Sequence, residues 1–187
     1  NCSKMVKKIF NKIAIVTCLT LFLVAPVVAS QLYIGARTVD ITPELPVAVT
    51  GQFHLRIAEV AETPLAATVL VMETRGSSGD LAIIVSCDAL YIPTDLVLLV
   101  RQRVKKQLPE IDENKIFLNA THTHTAPVLA LEGEYLIPKT GVTQVKDYRK
   151  FFVDKVSTAI VEAWNDRAPG SVAWGMGYAV AGYNRRI

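Results

Sequence analysis

The sequence predicts an α/β domain built on a mixed sheet, and three features carry that expectation. Two β-rich runs, Ala66 to Thr74 and Leu81 to Ser86, flank the turn cluster Arg75-Gly76-Ser77-Ser78-Gly79-Asp80, the pattern of an antiparallel hairpin. Strand, amphipathic helix and strand follow one another between Leu81 and Ala120, which makes a βαβ unit with parallel strands and a right-handed crossover. A second amphipathic stretch of helical period spans about Asp147 to Asp166.

The first 29 residues stand apart from this fold. Lys7, Lys8 and Lys12 form a basic region after Met5, an apolar stretch runs from Ile13 to Val24, and Val27-Val28-Ala29-Ser30 offers small residues for cleavage. That is the layout of a secretory signal peptide, cut after Ala29. An uncleaved anchor competes, because the apolar stretch approaches the roughly 20 residues that span a bilayer. Asn1 to Lys4 precede Met5, which reads as the initiator of a frame cut from longer sequence.

Setting the signal aside changes the charge balance. The 187 residues carry a net charge of +3, but Lys4, Lys7, Lys8 and Lys12 all precede Ala29, so residues 30–187 hold 16 cations against 17 carboxylates. The isoelectric point near 8.8 therefore reports the export segment, and no nucleic-acid surface is expected. Cys2 and Cys18 also fall before residue 30. Cys87 is left without a partner, so stability must come from a core.

Leu32 to Ile41 alternates as a strand, and Thr42-Pro43 ends it because proline cannot continue a central ladder. Gly51 to Glu62 reads as loop. After the hairpin, Thr94 or Asp95 is expected to cap a helix reaching Leu108, with Leu96, Leu99, Val100 and Val104 on its buried face. Pro109 stops it, and Lys115 to Ala120 is the next strand. The second helix buries Phe151, Phe152, Val156, Ile160, Val161 and Trp164; Ala168-Pro169-Gly170 closes it. Ser171 to Ala181 is expected to return as a further strand, after which the chain stops at Asn184-Arg185-Arg186-Ile187. No repeat or low-complexity tract appears, and the sequence reads as an incomplete domain.

Two of the three histidines lie in Asn119-Ala120-Thr121-His122-Thr123-His124-Thr125-Ala126-Pro127, just after the apolar run Ile116-Phe117-Leu118. In extended backbone, residues two apart point to the same side. Such a pair can share one transition metal, or divide between metal and substrate; two solvated loop histidines are the plainer reading. The βαβ unit brings Ser86-Cys87-Asp88 to the same carboxyl edge, where ligands of open α/β sheets bind. Asp88 by itself reads as a helix or turn cap. Cys87 reads as a packed side chain, since no basic neighbour in sequence would lower its pKa.

Four stretches in order carry a family resemblance: Gly35-Ala36-Arg37-Thr38-Val39-Asp40-Ile41-Thr42-Pro43, Val85-Ser86-Cys87-Asp88, Ala120-Thr121-His122-Thr123-His124, and Asn184-Arg185. Together they resemble the N-terminal part of the neutral/alkaline non-lysosomal ceramidases, zinc-dependent amidohydrolases that cleave the N-acyl bond of ceramide. The resemblance implies that residues 30–187 are the incomplete N-terminal part of a larger catalytic domain. It implies His122 as a zinc (Zn2+) ligand, with His124 and Arg185 as substrate-site residues. The family's other ligands, a histidine, a glutamate and a tyrosine, lie farther along, so this segment alone is expected to be inactive. The chain departs from the family in having Thr125-Ala126 where Ser-Gly is usual. The stretch Gly51-Gln52-Phe53-His54-Leu55-Arg56 loosely resembles the family's His-x-Arg segment, and His54 reads equally as an exposed loop histidine.

The implied chemistry is metal-assisted hydrolysis: zinc polarises the amide carbonyl and lowers the pKa of bound water toward about 7. His124 and Arg185 would then stabilise the tetrahedral oxyanion or orient substrate hydroxyls. The substrate would be a ceramide-like lipid or another N-acyl amide, met at a membrane surface. Two other readings stay open: a different metallohydrolase, and an exported binding or surface protein that keeps the fold without the metal.

Overall fold

The computed structural model describes residues 30–76, 79–133, 135–179 and 182. The expected signal segment and Arg185 lie outside the described residues. Strand β1 (Gln31–Asp40) pairs antiparallel with β4 (Ala66–Arg75), and β4 pairs antiparallel with β5 (Asp80–Cys87). Strand β6 (Ile116–Ala120) joins β5 in parallel through helix α1 (Thr94–Gln107), so the predicted hairpin and βαβ unit share one sheet. With the two-residue β7 (Ala168–Pro169) on the far edge, the sheet order is β6-β5-β4-β1-β7. The class is mixed α/β, as the sequence predicts.

Period-2 burial explains which face is filled. Ala67, Val69 and Val71 of β4, with Ile83, Val85 and Cys87 of β5, are buried, while Thr68, Leu70, Ile84 and Ser86 are exposed. The buried row forms one core with Leu96, Val100 and Val104 of α1 and with Phe152, Val156, Ile160 and Trp164 of helix α2 (Val145–Asn165). Both helices therefore lie on one face of the sheet. Gly35 lets β1 approach α2 closely, since a Cβ there would run into the Ala163 carbonyl. No helix among the described residues is long and apolar enough to cross a membrane.

Several expectations change. Helix α1 begins behind Pro93 with no side-chain cap, so neither Thr94 nor Asp95 is the cap; Asp95 sits in the first turn and pairs with the buried Arg149 of α2. Leu99 is nearly half exposed and belongs to the helix's outer side, not its buried face. The segment 51–62 is not all loop: β2 (Val47–Val49) and β3 (Arg56–Ala58) form a small antiparallel hairpin. Ser171–Ala179 forms no strand, despite its alternation. Ala168–Pro169 pairs with β1, Gly170 donates to the Leu32 carbonyl at 2.9 Å, and the chain then leaves the sheet edge. An alternating sequence needs a ladder partner to become a strand. Among the described residues, 171–179 have none.

Candidate functional site

Asp88 organises the carboxyl edge of the sheet. One carboxylate oxygen accepts from the Ala66 amide at 2.9 Å, and the other accepts from the Thr121 hydroxyl at 3.1 Å. Its own amide donates to the Ala66 carbonyl, and the Thr121 amide donates to the Cys87 carbonyl. The side chain thus ties the start of β4 to the exits of β5 and β6. It braces strand ends through one amide and one hydroxyl, and caps no helix. Cys87 is buried, and burial first, then the Asp88 charge, pushes its thiol pKa up to about 12. It packs, as the sequence suggests.

Past Thr121 the backbone turns sharply, with His122 in the left-handed region at φ 63°. A non-glycine residue there is uncommon, though histidine is among the types that tolerate it. The next residues run along β2: Thr50 donates to the Ala126 carbonyl and Val128 to the Ala48 carbonyl, both at 3.0 Å. Val49 also bridges to Pro127. The all-buried strand β2 thus fixes the far end of the histidine segment, while Asp88 fixes its near end.

The two imidazoles meet edge to face, with ring centroids 5.1 Å apart. Nδ1 of His122 lies 2.9 Å from the Leu90 carbonyl, and Nδ1 of His124 lies 2.6 Å from the Gly51 carbonyl. A carbonyl oxygen only accepts, so each Nδ1 carries a proton. In the neutral ring each Nε2 then keeps its lone pair. Both residues are exposed to solvent, inside a cleft of about 630 Å³ whose walls include Phe53, Leu90, Tyr91 and Tyr135. The Tyr135 hydroxyl donates to the Gln52 carbonyl and closes one side.

Gly51 is a part of this site that side-chain chemistry in the sequence does not reveal. Its φ is +99°, and a Cβ would fall 2.7 Å from His124 Cα and Cβ. Only glycine lets the 50–51 turn lie against the histidine. Arg56 of β3, marked in the sequence only by the loose His-x-Arg resemblance, donates from Nη2 to the Thr50 carbonyl at 2.9 Å and also to the His124 carbonyl. His54 is exposed and does not line the cleft, in keeping with a loop histidine. Of the expected site residues, His122 and His124 come together, and Arg185 lies outside the described residues.

Comparison with known proteins agrees with the fold. The crystal structure of neutral ceramidase from Pseudomonas aeruginosa matches 76% of this chain at 24% identity with a TM-score of 0.66. A second structure, of a ceramidase complexed with C2, matches 76% at 26% identity with a TM-score of 0.63. The chain spans 23% of the first and 22% of the second, less than a quarter of either. No family model matches the chain, and no curated protein matches it. In fold, the chain is a neutral ceramidase-like segment.

Proposed function

We propose that this chain supplies one side of a zinc-dependent amidohydrolase site that cleaves the N-acyl bond of ceramide or a related lipid amide. The observation that carries this reading is the matching placement of the two histidines, each with Nδ1 against a main-chain carbonyl. Both imidazoles line a solvent-accessible cleft. A metal-binding histidine is oriented in this way, with its second nitrogen fixed by a carbonyl or carboxylate. The donor set suits zinc, which takes neutral imidazole nitrogen.

His122 would hold the metal. A catalytic zinc normally takes three protein ligands, and no group of three His, Cys, Asp or Glu side chains gathers among the described residues. The other ligands would come from elsewhere in a longer protein. When bound, zinc would polarise the amide carbonyl and make water a nucleophile near neutral pH. His124, with Nε2 unprotonated in its neutral ring, is an acceptor suited to a substrate hydroxyl. An oxyanion contact would need a proton on that nitrogen, and Arg185 would supply a fixed cation instead. Phe53, Leu90, Tyr91 and Val128 give the cleft apolar walls suited to a lipid chain. On the same reading residues 1–29 export the protein, and it meets its substrate at a membrane surface.

Metal content and hydrolysis of ceramide, compared with simpler N-acyl amides, test the proposal in the full-length protein. His122→Ala is expected to abolish both zinc content and hydrolysis. Retention of either in that variant sinks the assignment.

A further inference from the structure

We infer that Arg56 is a positioning residue for His124, acting through the main chain from the far side of the β2–β3 hairpin. The inference rests on the proposed hydrolytic role of the cleft. Arg56 stands on β3, and its Nη2 alone grips two carbonyls, those of Thr50 and His124. The adjacent carbonyl, that of Gly51, accepts the Nδ1 proton of His124. The guanidinium therefore ties together the two backbone segments whose spacing sets that ring hydrogen bond. A shift of the 50–51 turn away from residue 124 would release the ring as well.

Two further observations set this arginine apart from a packing residue. Among the described residues its Nε is buried without a hydrogen-bond partner, and the side chain meets no carboxylate. Its cation is spent on carbonyl oxygens alone. The contact on the other side is equally constrained, because Gly51 leaves no room for His124 to move toward the turn. His124 is thus held by three restraints, its ring acceptor, the Arg56 grip on its carbonyl and the Gly51 wall. Lysine offers three donors on a compact point charge but not the planar fork. It would replace the grip only in part.

The test compares Arg56→Ala and Arg56→Lys with the unaltered full-length protein, using hydrolysis of a short-chain ceramide, zinc content and carbethoxylation. Diethyl pyrocarbonate modification is read at His124 relative to the exposed His54, which serves as internal control. Arg56→Ala is expected to lower kcat by about tenfold to a hundredfold, the range for residues that orient an active-site histidine. Zinc content should hold, Arg56→Lys should recover part of kcat, and the His124-to-His54 modification ratio should rise. An unchanged kcat, or zinc content and thermal midpoint falling together with it, overturns the inference. Should the unaltered protein hydrolyse no N-acyl amide, the proposed function fails by itself. The modification ratio then decides alone: a rise in Arg56→Ala supports the positioning role, and an unchanged ratio overturns it.

Discussion

At the scale of single residues, the site is held by backbone oxygens more than by side chains. Leu90, Gly51 and Thr50 contribute carbonyls, and their side chains carry none of the contacts. This explains what was legible. The pair His122 and His124 announces itself because imidazole at i and i+2 is a chemical pattern, whereas a carbonyl has no signature in residue type. Gly51 is the one such residue with a physical mark, its positive φ. Gly51→Ala should therefore do two things. Forcing an L-residue into left-handed backbone costs roughly 1–2 kcal/mol, readable as a lowered midpoint in denaturant. The new Cβ also pushes on His124, so catalysis should fall further than stability accounts for. Activity that simply tracks the folded fraction would argue against the second effect.

At the scale of elements, carboxylates finish strands. Asp88 closes three of them, and Asp40 closes β1 by accepting from the Thr42 amide at 2.7 Å. Removing the Asp88 side chain leaves the Ala66 amide and the Thr121 hydroxyl without their partner. Asp88→Ala should cost about 1.5–3 kcal/mol, the range for a hydrogen bond to a charged group, and should loosen the residues leading into His122. Equilibrium unfolding measures the first, and amide exchange at residues 121–124 the second; unchanged exchange would detach Asp88 from the site.

Hydrogen bonds from Thr42 hold the Asp40 carboxyl below its ordinary value of 3.8, and the Leu81 amide, then Lys115, do the same for Asp80. A depressed folded-state pKa stabilises above the unfolded value and loses that contribution as pH falls through the folded one. Stability should hold from neutral pH down to about 4 and decline below it. Asp40→Asn should flatten the decline, as denaturant titrations at neutral pH and below about 4 would show. The elements themselves were readable wherever they exceed the period that defines them. The ten residues of β1 and of β4, and the 21 of α2, each show their alternation or stripe. The three-residue strands β2 and β3 are too short to alternate, so the hairpin that carries Arg56 read as loop. Ser171–Ala179 fails in the opposite way: its pattern is present, but pairing is a property of two segments and one sequence shows only one.

At the scale of the whole molecule, the sheet is covered on one face only among the described residues. Leu70, Ile84 and Phe117 stand in register across β4, β5 and β6, each more than a third exposed. Scattered apolar residues at a surface need no explanation, but a contiguous row does. Val172, Trp174, Met176 and Tyr178 add a second exposed apolar series. The chain also spans less than a quarter of either ceramidase structure it matches. A domain with one sheet face open has buried only part of its apolar surface, and transfer of that surface from water remains favourable at about 25 cal/mol per Å². Residues 30–187 prepared alone should therefore self-associate through this face. Ile84→Lys with Phe117→Lys should restore a monomer without unfolding it, because both side chains point away from the helices and the core row of Val71, Ile83 and Ile116 is untouched. Light scattering reads the first effect and circular dichroism the second. Association that persists in the double variant, with the secondary structure intact, would place the contact elsewhere, and the exposed 172–178 series would be the next surface to charge.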